Sequence, residues 1–459
     1  MDKGLCDSAI REKFRDAGDF IPRELACGGQ KIYAYMIDGL IAGSDASRQV
    51  FKPLSRMESG TMEELYRRAL EGAIYNNVAD ACADLETVVG KLVNGFCVVL
   101  FPGVGAVAFE TKTPEKRGIS PPEVENTVKG PKDAFTETVR TNTSLLRRHL
   151  RTADLRLYQT TVGTKTVTNV TVAWIDGVTD PELVERMKTR LSSLTGESFL
   201  SPAEVEELVT GQRKTPFPLL QYTERTDKFA RGLLTGRVGL LVDGLPLGYL
   251  LPVDIGYLMT SPEDLGMDYV SASFIRVLRW GAMLLSLLLP ACYIALAMFH
   301  QQMIPLSLLR AIIESKEKVP FSAAGEVLGL LLAFELLQEA GLHLPRSVGQ
   351  SVSIIGGIVV GTAAVEASLI SPAALIVVSL AGICGFALPN RDLAEALRLF
   401  RLAFTILGAF AGLFGVTAGL VGLVIHLSGL TSLEEAYLAP FSQGAKLRIL
   451  RKPAGEDGT

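Results

Sequence analysis

Residues 280–299, WGAMLLSLLLPACYIALAMF, form a run of 20 residues without a charged side chain. A helix of about 20 apolar residues is long enough to cross the ~30 Å hydrocarbon core of a bilayer. Three further apolar stretches follow, at Val352–Val365, Ser368–Leu388 and Leu402–Leu427. Before position 275 the composition is that of a charged, soluble protein. We therefore predict a soluble N-terminal module followed by a membrane module with several spans.

The overall composition excludes several classes of protein. The 459 residues carry a net charge of −4, too little positive charge to indicate nucleic acid as a partner. Six cysteines form no CxxC pair and four histidines lie far apart, so neither a zinc site nor a redox motif is predicted. The chain also lacks a nucleophile elbow and a phosphate-binding GxxxxGK[ST] loop. We predict a protein that is not an enzyme and that has no catalytic residue, no cofactor and no metal.

The soluble module is predicted to have an α+β or α/β fold in two subdomains, residues 1–120 and 121–270. Phe96–Pro102, FCVVLFP, is an apolar run bounded by glycines and is typical of a buried strand. Asp133–Leu150 has the composition of a helix. Between them, Thr111–Pro131 is rich in proline, glycine and charge, which favours a linker between the subdomains.

The membrane module is predicted to cover residues 271–445, with about four crossing helices and a basic, then acidic, tail at 446–459. Gly325–Leu337 is only 13 residues long and contains Glu326 and Glu335. A segment of this length is too short to span as a lipid-facing helix, so we expect a re-entrant or protein-buried helix.

Arginine and lysine flank the first and the last span and also lie between the last two, at Arg391, Arg398 and Arg401. The positive-inside rule puts all three regions on the cytoplasmic side, which simple crossings do not satisfy together. We expect both ends of the module to be cytoplasmic, which requires an even number of crossings.

Basic residues recur at helical spacing near position 140. Arg140, Ser144, Arg147, Arg148 and Arg151 fall at i, i+4, i+7, i+8 and i+11, on one face of a helix. Arginine forks suit carboxylates and phosphates, so this face is a candidate anion site or subunit contact. A solvated helix face with local ion pairs accounts for the same pattern.

Tyr222–Asp227, YTERTD, places charges of both signs beside Phe217 and Pro218. We interpret it as a turn held by local ion pairs.

Small residues repeat every four positions between Pro345 and Glu366. Such a ridge lets another helix approach closely or leaves room for water along a pore. An ionisable residue at the end of the ridge is a functional candidate, although a position at the membrane interface accounts for it equally. The candidate pore-lining residues are Gly349, Ser353, Gly357, Gly361, Thr362 and Glu366.

Two further acids lie one helical turn apart, at Glu335 and Glu339. They either pair with Arg310 or Arg346 or line a path for cations, and the sequence does not separate these alternatives.

Several long blocks resemble the GerA family of spore germination proteins, in the same order and over roughly residues 30–445. They include ENTVKGPKDAFTETVRTNTSLLRRHLRT at 125–152, PFPLLQYTERTDKFARGLLTGRVGLLVDGLP at 216–246 and SPAALIVVSLAGICGFALPN at 371–390. The resemblance also implies a glutamine where this chain has Thr362, which bears on selectivity or gating if this helix lines the pore.

The resemblance implies a receptor A subunit in the spore inner membrane, with the soluble domain and the C-terminal tail on the cytoplasmic, core side. Such a subunit is expected to form a homo-oligomer, a pentamer, that acts as a nutrient-gated channel and releases monovalent cations. Its expected partners are membrane lipid, a transporter-like B subunit and a lipid-anchored C subunit. A non-conducting scaffold that relays a signal and a SpoVAF-like amplifier of the germination signal are the alternatives.

Overall fold

The structure is a computed structural model, in which the chain forms two compact units. The first unit, here the sheet unit, comprises Met1–Arg213 with Leu219–Pro252, and the second, the helical unit, comprises Lys214–Pro218 with Val253–Thr459. The structure describes residues 5–72, 74, 78–112, 121–122, 125, 127, 130–194, 199–211, 214–342 and 361–438. The predicted tail at 446–459 and most of the predicted linker lie outside the described residues.

The sheet unit begins with a five-stranded antiparallel sheet in the order β1-β2-β4-β5-β3. Its strands are β1 (Phe20–Cys27), β2 (Gln30–Ile37), β3 (Ala79–Cys82), β4 (Phe96–Phe101) and β5 (Gly105–Glu110). The accompanying helices are α1 (Asp7–Lys13), α2 (Gly43–Asp45), α3 (Lys52–Ser55), α4 (Met62–Leu70) and α5 (Leu85–Val93), with a π-helical turn at Ala46–Phe51.

Strand β4 confirms the predicted buried strand, because all six of its residues are buried. Val98 and Leu100 pack into the core on the side of α1 and α5. Val99 and Phe101 pack into a second core on the side of α3 and α4. A strand covered on both faces needs apolar residues at every position, which explains the unbroken run in the sequence.

A second five-stranded antiparallel sheet, in the order β6-β7-β9-β10-β8, completes the sheet unit. Its strands are β6 (Leu155–Val162), β7 (Thr168–Ile175), β8 (Gln221–Thr223), β9 (Val238–Val242) and β10 (Gly248–Leu251). Its helices are α6 (Val139–His149), α7 (Pro181–Ser192), α8 (Pro202–Thr210) and α9 (Thr226–Leu234). The predicted sheet-containing fold of the N-terminal half is confirmed, and its antiparallel strand pairs make it α+β.

The predicted helix Asp133–Leu150 is too long at its start, since α6 begins only at Val139. The residues before it bond to other elements instead of to a helical ladder. The Phe135 amide donates to the Glu224 carbonyl at 2.7 Å, and Ala134 forms an isolated bridge with Arg225. Composition alone does not reveal these distant partners.

The helical unit contains two helices that are long and apolar enough to cross a membrane by length and composition, among the described residues. They are α11 (Tyr269–Met298) and α15 (Arg391–Ser428). The other elements are α10 (Ile255–Leu258), 3-10 turns at Pro262–Leu265 and Gln301–Met303, α12 (Leu306–Lys316), α13 (Ala323–Leu342), a helical stretch at 361–366, α14 (Pro372–Phe386), β11 (Thr431–Ser432) and β12 (Glu435–Ala436).

The short element predicted at Gly325–Leu337 is instead the 20-residue helix α13. The predicted segment was shorter because it ended at the polar residues that flank the apolar run. Glu326 and Glu335 are accommodated within the helix because cationic side chains pair with both of them. The number of membrane crossings stays a prediction.

Helix α15 is not a straight rod, so the predicted span Leu402–Leu427 does not form one straight helix. Gly412 has φ 59° and ψ −143°, a conformation that is open almost only to glycine. The rings of Phe400 and His426 lie 6.3 Å apart, whereas a straight helix would separate these residues by about 39 Å. The chain reverses at Gly412 and forms two antiparallel arms, at 391–411 and 413–428.

Candidate functional site

Arg147 of α6 joins the two halves of the sheet unit through a buried ion pair. Its Nε and Nη2 atoms donate to the two carboxylate oxygens of Asp19, at 2.7 and 2.8 Å. Nη1 donates to the Thr152 carbonyl at 3.0 Å. The side chains of Arg147 and Asp19 are 0% and 2% exposed. The bidentate geometry and the third acceptor satisfy a guanidinium that would be costly to bury alone.

Two more residues of the predicted stripe face the same region, just after β2. The Arg140 guanidinium binds Asp38 at 2.5 Å, and the Ser144 hydroxyl donates to the Gly39 carbonyl at 2.7 Å. Together with Arg147 they fasten α6 to the first sheet.

The last two arginines of the stripe, Arg148 and Arg151, lie at the end of α6 and just beyond it. Arg148 is half-buried, and Arg151 lies beyond the end of α6, where its Nε donates to the Arg148 carbonyl at 3.3 Å. A role for Arg140, Arg147, Arg148 and Arg151 in anion or subunit contact stays a prediction.

Arg225, inside the predicted turn Tyr222–Asp227, is the centre of a second buried network. It makes a bidentate pair with Asp227 at 3.0 and 2.8 Å. Its other three bonds reach the Glu125 and Pro131 carbonyls and the Thr127 hydroxyl. Every guanidinium N–H therefore has an acceptor within the protein. This arginine stabilises the backbone around it and has no N–H left to bind a free anion.

Glu125 reinforces the same network from the other side. Its carboxylate pairs with Lys228 at 2.5 Å and accepts a bond from the Thr223 hydroxyl. Its amide donates to the Glu224 side chain at 2.7 Å. The predicted ion pairs of the turn thus extend to a segment about 100 residues earlier, and this partner could not be read from local spacing.

Asp133, His149 and Thr226 form a third polar cluster in the sheet unit. Asp133 Oδ2 lies 2.6 Å from both His149 Nε2 and Thr226 Oγ1. The hydrogen bond from His149 is the main reason that the pKa of Asp133 falls to about 2, and the same bond raises the pKa of His149. Thr226 is fully buried, so its hydroxyl is closed to a substrate. The cluster is suited to connecting α6 with α9.

Three of the six candidate pore-lining residues fall within the described residues. Gly361 is buried, and a Cβ there would lie 3.5 Å from the Leu375 side chain of α14. Thr362 and Glu366, four residues apart, are both exposed. Gly349, Ser353 and Gly357 lie outside the described residues.

Glu326 is a buried acid that connects three helices of the helical unit. The Lys316 ammonium, at the end of α12, lies 3.0 Å from its Oε1. The amide and hydroxyl of Ser371 donate to its Oε2 at 2.8 and 2.6 Å. Ser371 also caps α14. One carboxylate therefore fixes the end of α12 and the start of α14 against α13.

Glu335 pairs with two arginines of the first arm of α15 and not with Arg310, one of the two predicted partners. The other, Arg346, lies outside the described residues. Arg401 Nη2 lies 2.9 Å from Glu335 Oε1, and Arg398 forms a second ion pair with Glu335. Arg401 is almost fully buried. These partners lie 63 and 66 residues further along the chain, beyond the reach of helical spacing.

Comparison with known proteins identifies the family. The model of the Bacillus/Clostridium GerA spore germination protein family matches residues 8–455, so the chain belongs to the GerA family. The chain is 34% identical over 451 residues to spore germination protein KA of Bacillus subtilis (strain 168), covering 96% of this chain and 83% of that protein. It is also 34% identical over 411 residues to the uncharacterized membrane protein YfkQ of the same organism, covering 88% and 79%.

A solved structure is also similar to this chain. It is the N-terminal domain of the A subunit of the Bacillus megaterium spore germinant receptor GerK3, with 25% identity and a TM-score of 0.42. The match covers 54% of this chain and 94% of that domain.

Proposed function

We propose that the protein is the A-type subunit of a spore germinant receptor and that copies of it form a nutrient-gated cation channel in the spore inner membrane. Membership of the GerA family supports the receptor role, and the two apolar helices are consistent with a membrane location. In this proposal B- and C-type subunits assemble with it. The sheet unit and the C-terminal tail face the spore core.

The observation that carries the channel proposal is the arrangement of residues 361–366. Gly361 packs against α14, whereas Thr362 and Glu366 are exposed one helical turn apart. A pore helix needs one face that packs and one polar face that remains open. In a symmetric oligomer the Glu366 carboxylates would form a ring of negative charge, which selects cations over anions.

The test is cation flux through the full chain in liposomes, with B- and C-type subunits added. We expect Glu366→Gln to lower potassium flux about tenfold, because the ring of charge is lost. The matched control is Glu395→Gln, an exposed acid that pairs with Arg391 one helical turn earlier. Equal flux in the wild type and Glu366→Gln would exclude Glu366 from the pore.

Gly361 gives a second, steric arm of the same experiment. Gly361→Ala places a Cβ at ordinary contact distance from Leu375, so we expect flux to be retained. Gly361→Leu is too large for this site and should change flux while the protein is still expressed. Unchanged flux in Gly361→Leu would count against a pore role for this helix.

A non-conducting scaffold is the second candidate, and one observation favours it. Two of the three acids of α13 do not stand open to a path for ions, because Lys316 neutralises Glu326 and two arginines neutralise Glu335. Such pairs suit a subunit that assembles others or, as in a SpoVAF-like protein, amplifies their signal. Co-purification of B- and C-type subunits without any potassium flux would support this candidate and refute the channel.

A further inference from the structure

Helix α11 is longer than a bilayer requires. Its 30 residues span about 45 Å, and the uncharged part, Trp280–Met298, already covers about 29 Å. The first 11 residues, Tyr269–Arg279, therefore extend about 16 Å beyond a ~30 Å hydrocarbon core.

A polar cluster at this end of α11 agrees with that position. Asp264 is fully buried and accepts hydrogen bonds from Arg276 Nε and Arg279 Nη1, each at 3.0 Å. Ions at this level are costly in hydrocarbon, so the cluster marks the aqueous side of the boundary.

The opposite face of the same segment is apolar and exposed, and this face continues into the first turns of the uncharged part. Val270 is 71%, Phe274 67%, Val277 51% and Leu284 50% exposed. Gly281 lies between the last two, with open space where a Cβ would stand. These positions follow alternating steps of four and three residues, the spacing of the seam in a coiled coil. We call this set of five residues the α11 seam.

We propose that the α11 seam is the surface through which copies of this chain associate. Three seam residues, Val270, Phe274 and Val277, lie on the aqueous side, where lipid tails do not cover them. The spacing of the whole seam fits an identical helix laid alongside. The seam carries no charge, and the neighbouring exposed residues Ser271 and Leu278 are also uncharged. Arg276 and Arg279 are turned toward Asp264, so identical copies bring no like charges together.

This inference rests on the homo-oligomer in the proposed function but does not need conduction. A scaffold that assembles without passing ions would use the same seam. Assembly and flux must therefore be measured separately.

The first experiment is disulfide cross-linking of the full chain in liposomes, with Cys6→Ser as background. Phe274→Cys and Val277→Cys are compared with Ile383→Cys, an equally exposed apolar position on α14, at 65%. On oxidation we expect at least about tenfold more cross-linked dimer from the seam variants than from the control. Equal cross-linking at all three positions would overturn the proposal.

The second experiment measures mass and potassium flux of the same preparations. Replacing Phe274 and Val277 together by serine should reduce the assembly to the 49.4 kDa chain, as measured by light scattering in detergent. An unchanged mass would reject the seam. Cross-links without flux would keep the seam and refute the channel, whereas flux without cross-links would keep the channel and refute the seam.

Discussion

Arg147 and Asp19 face each other across the two sheets as a buried, bidentate ion pair, with N–O distances of 2.7 and 2.8 Å. The residues are 128 positions apart, and α6 carries the arginine to the carboxylate, which lies immediately before β1. Removing one partner of such a pair leaves the other charge buried without a counter-ion. Most of the resulting loss in stability comes from this unpaired buried charge.

We therefore expect Arg147→Ala to lower the free energy of unfolding of the sheet unit by about 3–5 kcal/mol. Urea unfolding of the full chain in detergent measures it, with Trp174 fluorescence as the signal in a Trp280→Phe background. Arg140→Ala is the matched control on the same helix. Its side chain is 68% exposed, so its pair with Asp38 should contribute less than about 1 kcal/mol. Equal losses from the two variants would contradict this assignment.

Arg225→Lys should destabilise the backbone around Glu125, Thr127 and Pro131, to which Arg225 donates hydrogen bonds. Lysine offers three donors in place of five and cannot make the bidentate pair with Asp227, so about 2–4 kcal/mol of local stability is expected to be lost. Hydrogen exchange of the full chain measures this at the Phe135 amide, which is bonded to Glu224. Exchange there should accelerate more than tenfold, since about 1.4 kcal/mol corresponds to a factor of ten.

The control for this change is Arg231→Lys, at an exposed position on α9. It should leave exchange at Phe135 unchanged. Similar acceleration in both variants would mean that α9 is disturbed generally and that the Arg225 bonds have no special part.

The cluster of Asp133 and His149 gives the sheet unit a defined pH dependence. The raised pKa of His149 contributes stability that is fully present below its unfolded pKa, about 6.5, and is lost as pH rises through the folded value. The pKa of Asp133, lowered to about 2, contributes stability above its unfolded value of about 3.9, which is lost as pH falls toward 2. The stabilising contribution is therefore largest between about pH 4 and 6.5.

The measurement is the thermal midpoint of the wild type and of His149→Gln between pH 5 and 8.5. The wild-type midpoint should fall more steeply with rising pH than that of the variant, because only the wild type loses the charged pair. Parallel curves would show that His149 does not carry this dependence.

Gly412→Ala tests the reversal inside α15. A Cβ at this position would meet His300 and Phe299 at 3.0 Å, and the backbone conformation is unfavourable for alanine. We expect a loss of about 1–3 kcal/mol in the stability of the helical unit, measured by the thermal loss of helical circular dichroism. Gly422→Ala, with nothing within 4 Å of a Cβ, should be neutral or stabilising.

The antiparallel arms can also be tested directly. Cysteines placed at positions 400 and 426 should be joined within one chain by a short bifunctional thiol reagent, because the rings there lie 6.3 Å apart. The single variant Phe400→Cys is the control for reaction with native cysteines. Failure to join the pair would support a straight helix.

Local pattern was enough to predict the elements whose environment is uniform along the chain. β4 is apolar at every position because both its faces are covered. The long uncharged run of α11 was likewise enough to predict an apolar helix there. The α+β character of the first half and the apolar helices of the second follow from such periodicities. The family blocks also lie in linear order, so the resemblance to GerA proteins required no knowledge of the fold.

The partners of the charged residues were decided only by the tertiary structure. The spacing of Arg140, Ser144 and Arg147 placed them on one helix face, but the loops beside the first sheet supplied Asp38, the Gly39 carbonyl and Asp19.

Likewise, Glu335 stands near Arg310 in sequence but pairs with Arg398 and Arg401, because the chain returns past α13 at that point. Hydrophobic periodicity reports only the environment that neighbouring residues of one helix or strand share. Ion pairs over 63 to 128 residues, and the reversal at Gly412, depend on how separate elements pack, which no local pattern encodes.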